Sequence, residues 1–111
     1  MSNVIWNYVV PVDGEGRVIL CHDTVLPIVE VAWEKPPPDF VYPAGIKAGT
    51  LAALRFWTMH KEGFGAMWDE THNWEFRVFG TGHEIPDEYE YLGTAPRTEH
   101  NLVWHLFRRE V

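Results

Sequence analysis

Cysteine is almost missing from this 111-residue chain: Cys21 stands alone, so no intrachain disulfide can form. That excludes the cross-linked framework of a small secreted domain and points to a reducing, cytosolic setting. Cations are scarce as well, with nine Lys and Arg against sixteen Asp and Glu and a net charge of −7. Affinity for a phosphate backbone comes largely from clustered Lys and Arg, so nucleic acid is not expected as a partner. The one basic pair, Arg108-Arg109, is partly cancelled by Glu110. Long apolar runs are also lacking. The stretch from Val4 to Val12 is interrupted by Asn7, carries Pro11 and is far too short to cross a bilayer, so neither a membrane span nor a signal peptide is expected. The length suits a single domain, residues 1–111, with no room for a separate catalytic one.

Aromatic residues are abundant: six Trp, six Phe and four Tyr. Such side chains favour pleated, half-buried surfaces, and the prior is an all-β domain. Alternation along the chain agrees. Trp6, Tyr8 and Val10 share one face of a first strand and Ile5, Asn7 and Val9 the other; Asp13-Gly14-Glu15-Gly16 then turns the chain, and Arg17 to Cys21 is expected to return as its hairpin partner. Ile28 to Trp33 sets Val29, Val31 and Trp33 against Glu30 and Glu34. Thr50 to His60 fits a capped helix or a strand, and its alternation together with its Phe-Trp-Thr favours the strand. It is expected to form a long hairpin with Trp74 to Gly80. In Asn101 to Arg108 both faces are apolar, which places that segment in the centre of a sheet or under a second layer. Six to seven strands in a small antiparallel sandwich or partly open barrel follow, with little or no helix.

Two long loops interrupt the strands, at 34–49 and 61–73. The first contains Pro36-Pro37-Pro38 and is expected to be stiff and extended. The sharpest turn signal is Phe76-Arg-Val-Phe-Gly-Thr-Gly82 followed by His83-Glu84-Ile85-Pro86. Gly80 and Gly82 are read as free to take positive φ, and Pro86 bars a central strand from continuing. Similar composition recurs at Tyr91-Leu92-Gly93-Thr94, so the two turns bracket a short hairpin-like segment.

Val78-Phe-Gly-Thr-Gly-His-Glu-Ile-Pro86, Tyr91-Leu-Gly-Thr94 and Leu102-Val-Trp-His-Leu-Phe107, with the opening Ile5-Trp-Asn-Tyr8 and Pro11-Val12, resemble a family of short proteins of unknown function. That family is encoded mainly by tailed bacteriophages and prophages. The similarity covers the start and the last third of the chain, and both long loops look like insertions. It implies a phage source and the cytoplasm of a bacterial host, and it supplies no activity or catalytic residue.

Chemistry is thin. The Gly-Thr-Gly turn lacks the Lys, the third glycine and the following helix of a phosphate-binding loop. Cys21 and His22 point to opposite faces of a strand and cannot form a nucleophile–base pair. Neither His60, His72, His83, His100 nor His105 has a partner at ligand spacing, so no metal and no cofactor are expected. His105 reads as a buried histidine donating one hydrogen bond. Sixteen aromatics, however, exceed what one core of this size takes. Those in loops or at strand ends, Phe40, Tyr42, Phe64, Trp68 and Tyr89, are the candidate interaction residues, rimmed by acid and suited to a basic partner. The expected function is protein binding, to a host bacterial protein or to a second copy. A small hydrolase or metal-dependent enzyme using His83 and the Glu84 to Glu90 cluster is the rival, and a minor virion component a third reading.

Overall fold

The computed structural model describes residues 3–13, 17–20, 24–61 and 73–110. Among these lie seven strands: β1 (Asn3–Pro11), β2 (Arg17–Leu20), β3 (Thr24–Glu34), β4 (Ala52–Lys61), β5 (Asn73–Gly80), β6 (Glu90–Thr94) and β7 (Trp104–Glu110). They form two antiparallel sheets, a three-stranded one in the order β1-β4-β3 and a four-stranded one in the order β2-β5-β7-β6. The all-β sandwich expected from alternation is what forms, and the segment that could have been a helix is β4, the central strand of its sheet.

Which strands pair differs from expectation. β1 and β2 do not form a hairpin: β1 pairs with β4 and β2 with β5, so the chain crosses between sheets after β1. Nor do β4 and β5 pair; they belong to opposite sheets and meet face to face, with the rings of Phe56 and Phe76 stacked at 4.6 Å. The segment between the two glycine turns is no hairpin either, because β7 lies between β5 and β6. Turn residues show that a chain reverses, and alternation shows that it has a buried face. Both are satisfied equally by returning in the same sheet or by crossing to the facing one.

The core fills the space between the sheets. Val10, Val29, Leu54 and Phe56 come from the three-stranded sheet, and Phe76, Val78, Leu106 and Ala95 from the four-stranded side. Gly93 is required by this packing, since a Cβ there would lie 2.9 Å from Val29 Cγ2 of the opposite sheet. β7 is an inner strand, as its two apolar faces imply. Trp104, at its start, is only half-buried at the edge of the core.

A bulge in β3 redirects one large side chain. The register shifts between Val31, opposite Leu54, and Trp33, opposite Ala53. Leu54 belongs to the inter-sheet core, while Ala53, Val9, Ile46 and Trp33 form a second buried cluster. Val31 and Trp33 therefore face opposite ways, although simple alternation puts them together. One extra residue flips every side chain that follows it.

The proline-rich connection, residues 35–51, is not the extended rod its composition suggests. It folds through successive turns, with Phe40 N–H donating to the Pro37 carbonyl at 3.0 Å, Ile46 N–H to Pro43 at 3.1 Å and Thr50 N–H to Lys47 at 3.2 Å. These turns lay Phe40, Tyr42 and Ile46 over the outer face of the three-stranded sheet. The four-stranded sheet is roofed in the same way. The connection from β5 to β6 sets Tyr89 edge-on to Phe79 at 5.2 Å, and Phe79 meets Phe107 at 5.3 Å.

Candidate interaction surface

The two roofs account for much of the aromatic surplus. Phe40 and Tyr42 are half-buried, with ring centroids 5.0 Å and 5.9 Å from Trp33. Tyr89 is half-buried too; its hydroxyl donates to Glu75 Oε1 at 2.5 Å, and Arg109 closes the group at 3.0 Å from Glu75 Oε2. Three of the five sequence-chosen interaction residues are thus built into satellite clusters. Phe64 and Trp68 lie outside the described residues. The apolar loop Phe40-Val41-Tyr42 fits packing back on the domain as well as docking onto another chain, and Phe40 and Tyr42 are packed back; composition alone does not decide between the two.

The hydrogen bond from Tyr89 holds the Glu75 carboxyl below its ordinary value. Burial opposes this, and Arg109 adds its own bond and charge in favour of the carboxylate. A depressed carboxylate contributes stability that is complete above the unfolded-state pKa and is lost as pH falls through the lower folded value. Glu75→Gln should therefore flatten the acid limb of the stability–pH curve, measured by urea midpoints from neutral pH down to pH about 3. Equal slopes for the variant and the parent would show that the group contributes nothing.

The glycine turn is built for structure. Gly82 has φ 90°, as expected, whereas Gly80 is not among the positive-φ residues. Gly80 instead sits in close quarters: a Cβ would lie 3.1 Å from both His83 Cε1 and Trp104 Cζ3, so either ring would have to shift to admit one. His83 Nδ1 accepts the Gly80 N–H at 3.1 Å, and Pro86 opens a turn whose carbonyl accepts from Tyr89 N–H at 3.1 Å. An open cleft of about 380 Å³ beside the turn is lined in part by Thr81, His83, Arg97 and Trp104. Two of the acids expected to serve His83 are directed elsewhere, Glu90 to Arg108 at 3.1 Å and Glu88 to Arg109 at 3.8 Å. His105 is half-buried with both ring nitrogens engaged, Nε2 with Thr81 Oγ1 at 3.1 Å and Nδ1 with Thr94 Oγ1 at 2.9 Å. That is one partner more than expected.

Among the described residues, an apolar surface is left open on the outer face of the three-stranded sheet, beyond the reach of the proline-rich roof. Register puts Ile5 beside Met59 and Asn7 beside Trp57. Since Phe56 and Thr58 are fully buried toward the core, Trp57 and Met59 point outward. Ile5 is 57% exposed and Ile28, on β3 at the other side of β4, 63%. Arg55 and Glu30, paired at 3.4 Å on the same face, stand between this apolar group and the roofed half. Alternation in β1 and β4 separates the two faces correctly, but no signal in the sequence tells which outer face is left uncovered.

Among the described residues, a sandwich with one roofed outer face and a second that is half roofed and half open makes a small all-β domain with no helix. The chain belongs to a family described as a domain of unknown function (DUF7352), whose model matches residues 1–111. Neither the search of curated proteins nor that of solved structures finds a match.

Proposed function

We propose that this domain is a protein-binding module whose docking surface is the open half-face carrying Ile5, Ile28, Trp57 and Met59. The observation that carries this reading is the contrast within one sheet. The half around Val9 and Ala53 is buried under Trp33, Phe40, Tyr42 and Ile46, while the other half leaves two isoleucines more than half exposed. Contiguous apolar side chains of this kind mark docking sites more often than scattered single residues do. The net charge of −7 selects the partner. Two copies would repel, whereas a protein with an apolar patch rimmed by Lys or Arg is attracted and meets the surface faster at low salt. The resemblance to phage and prophage proteins supports a bacterial host protein as that partner, met in the host cytoplasm.

The test uses the purified chain and its Ile5→Asp/Ile28→Asp variant, both immobilised and exposed to bacterial lysate at low and moderate salt. A basic protein retained by the parent, lost by the variant and weakened by salt is the expected result. Clean beads, or retention that the variant leaves intact, would overturn the assignment of this surface. Sedimentation of the free chain as a dimer disrupted by the same variant would replace the basic partner with a second copy.

A further inference from the structure

Where β3 ends, the chain buries a carboxylate and gives it no hydrogen bond. The Glu34 side chain is only 8% exposed, and both of its oxygens are shielded from solvent without a hydrogen-bond partner among the described residues. Water solvates a carboxylate strongly, and taking it inside without donors is costly. The backbone around it is strained in the same place, since Lys35, the next residue, has φ 48°.

Two further donors converge on Glu34 from the connection between β6 and β7. Glu99 and His100 sit on a turn organised by Thr98, whose Oγ1 accepts the His100 N–H at 3.1 Å and the Leu102 N–H at 3.0 Å. The ligand atoms of Glu34, Glu99 and His100 all lie within 4.8 Å of one another. His100 Nε2 is 3.3 Å from Glu34 Oε1. That is close to the separation of two neighbouring ligands on a metal whose bonds are about 2.0–2.2 Å long. Glu99 and His100 are exposed and free to close the remaining distance by rotation.

We propose that Glu34, Glu99 and His100 form a binding site for one divalent transition-metal ion, tying the end of β3 to the β6–β7 connection. A protonated His100 paired with Glu34 would neutralise one charge. It would still leave Glu34 Oε2 without a donor and Glu99 crowding a second carboxylate against the first. A dication between them meets all three groups. Mixed carboxylate and imidazole donors favour Zn²⁺ or Mn²⁺ over Mg²⁺ and Ca²⁺, which take oxygen ligands. Three protein ligands leave at least one position for water or an incoming group. That position faces a cleft of about 350 Å³ whose lining includes Glu30, Arg97 and Thr98. The site does not depend on the protein-binding reading, because Glu34 closes β3 while Ile28 lies near its middle, and none of Glu34, Glu99 and His100 belongs to the proposed docking surface.

Calorimetric titration of chelator-treated, dialysed protein with ZnCl₂, MnCl₂ and MgCl₂ tests it. One Zn²⁺ or Mn²⁺ per chain is expected, with Mg²⁺ at least tenfold weaker. His100→Ala and Glu99→Gln, both at exposed positions, should each weaken binding at least tenfold while the circular dichroism spectrum is unchanged. His83→Ala should bind as the parent does. Glu34→Gln is expected to behave like His100→Ala; if it fails to fold, the two exposed variants decide. Movement of the His100 ring signals on addition of diamagnetic Zn²⁺, with those of His83 and His105 unmoved, gives an independent readout. No binding at millimolar metal, more than one ion per chain unaffected by these variants, or loss in His83→Ala in place of His100→Ala would each overturn the site.

Discussion

Phe56→Ala is expected to destabilise the domain by about 3–5 kcal/mol, the cost of emptying a fully packed aromatic position. Phe56 has no exposed surface and sits at the middle of β4, the central strand of the three-stranded sheet. Its register partners are Tyr8 on one side and Val29 on the other, and its ring stacks on Phe76 across the layers at 4.6 Å and 25°. Removing the ring opens a cavity bounded by both sheets. The backbone cannot close it without breaking two ladders, so little relaxation offsets the loss. Equilibrium urea denaturation should show a lower midpoint at an unchanged slope. A loss below about 1 kcal/mol would show that the sheets do not pack through this contact. Trp104→Ala should cost less, because that ring is half-buried at the edge of the core.

What the sequence discloses of this fold is the local part. Period-two alternation marks β1, β3, β4, β5 and β7, and it decides correctly that residues 52–61 are strand despite a good helical opening. It does so because each strand has its own buried face, a property carried by a few consecutive residues. Pairing depends instead on segments far apart in the chain. β1 ends at Pro11 whether the chain returns beside it or crosses to the other layer, and the next strand, β2, lies in the other sheet. Trp33 shows how one inserted residue defeats a correct pattern: Val29, Val31 and Trp33 alternate as a single face, yet the bulge carries Trp33 to the other side of the sheet.

The candidate sites follow the same rule. Phe40, Tyr42 and Tyr89 are conspicuous as loop aromatics, but whether a loop folds back or stands free is set by what lies beneath it. For Phe40 and Tyr42 that is the floor of Val9 and Ala53, three elements away in part. Glu34 reads as the polar side of a strand, and its burial depends on the β6–β7 connection closing over it. Histidine spacing could not have found a ligand set that draws on β3 and on residues 99–100 together. Short-range regularities are written in the residues themselves, and sites assembled from distant segments are written only in the packing.

Trp33→Ala is the sharpest test of the roof over the three-stranded sheet. The ring is 9% exposed and holds Phe40 at 5.0 Å and Tyr42 at 5.9 Å, while its Nε1–H donates to the Thr50 carbonyl at 3.1 Å. One side chain thus ties down both the start and the end of the proline-rich connection. Loss of a buried Trp costs about 3–5 kcal/mol. Because this cluster lies outside the inter-sheet core, part of that loss should appear as opening of the roof while both sheets persist. Amide exchange across residues 36–50 should accelerate far more than at Leu54, Phe56 or Leu106. The uncovered Val9 and Ala53 would then extend the open apolar face along the sheet, and binding of a hydrophobic dye should rise. In Phe56→Ala the order reverses, with the core amides losing protection and the roof no more affected than the rest. If Trp33→Ala leaves amides 36–50 protected, the connection holds itself in place through its own turns, and the aromatic cluster is packing without consequence for the surface the domain presents.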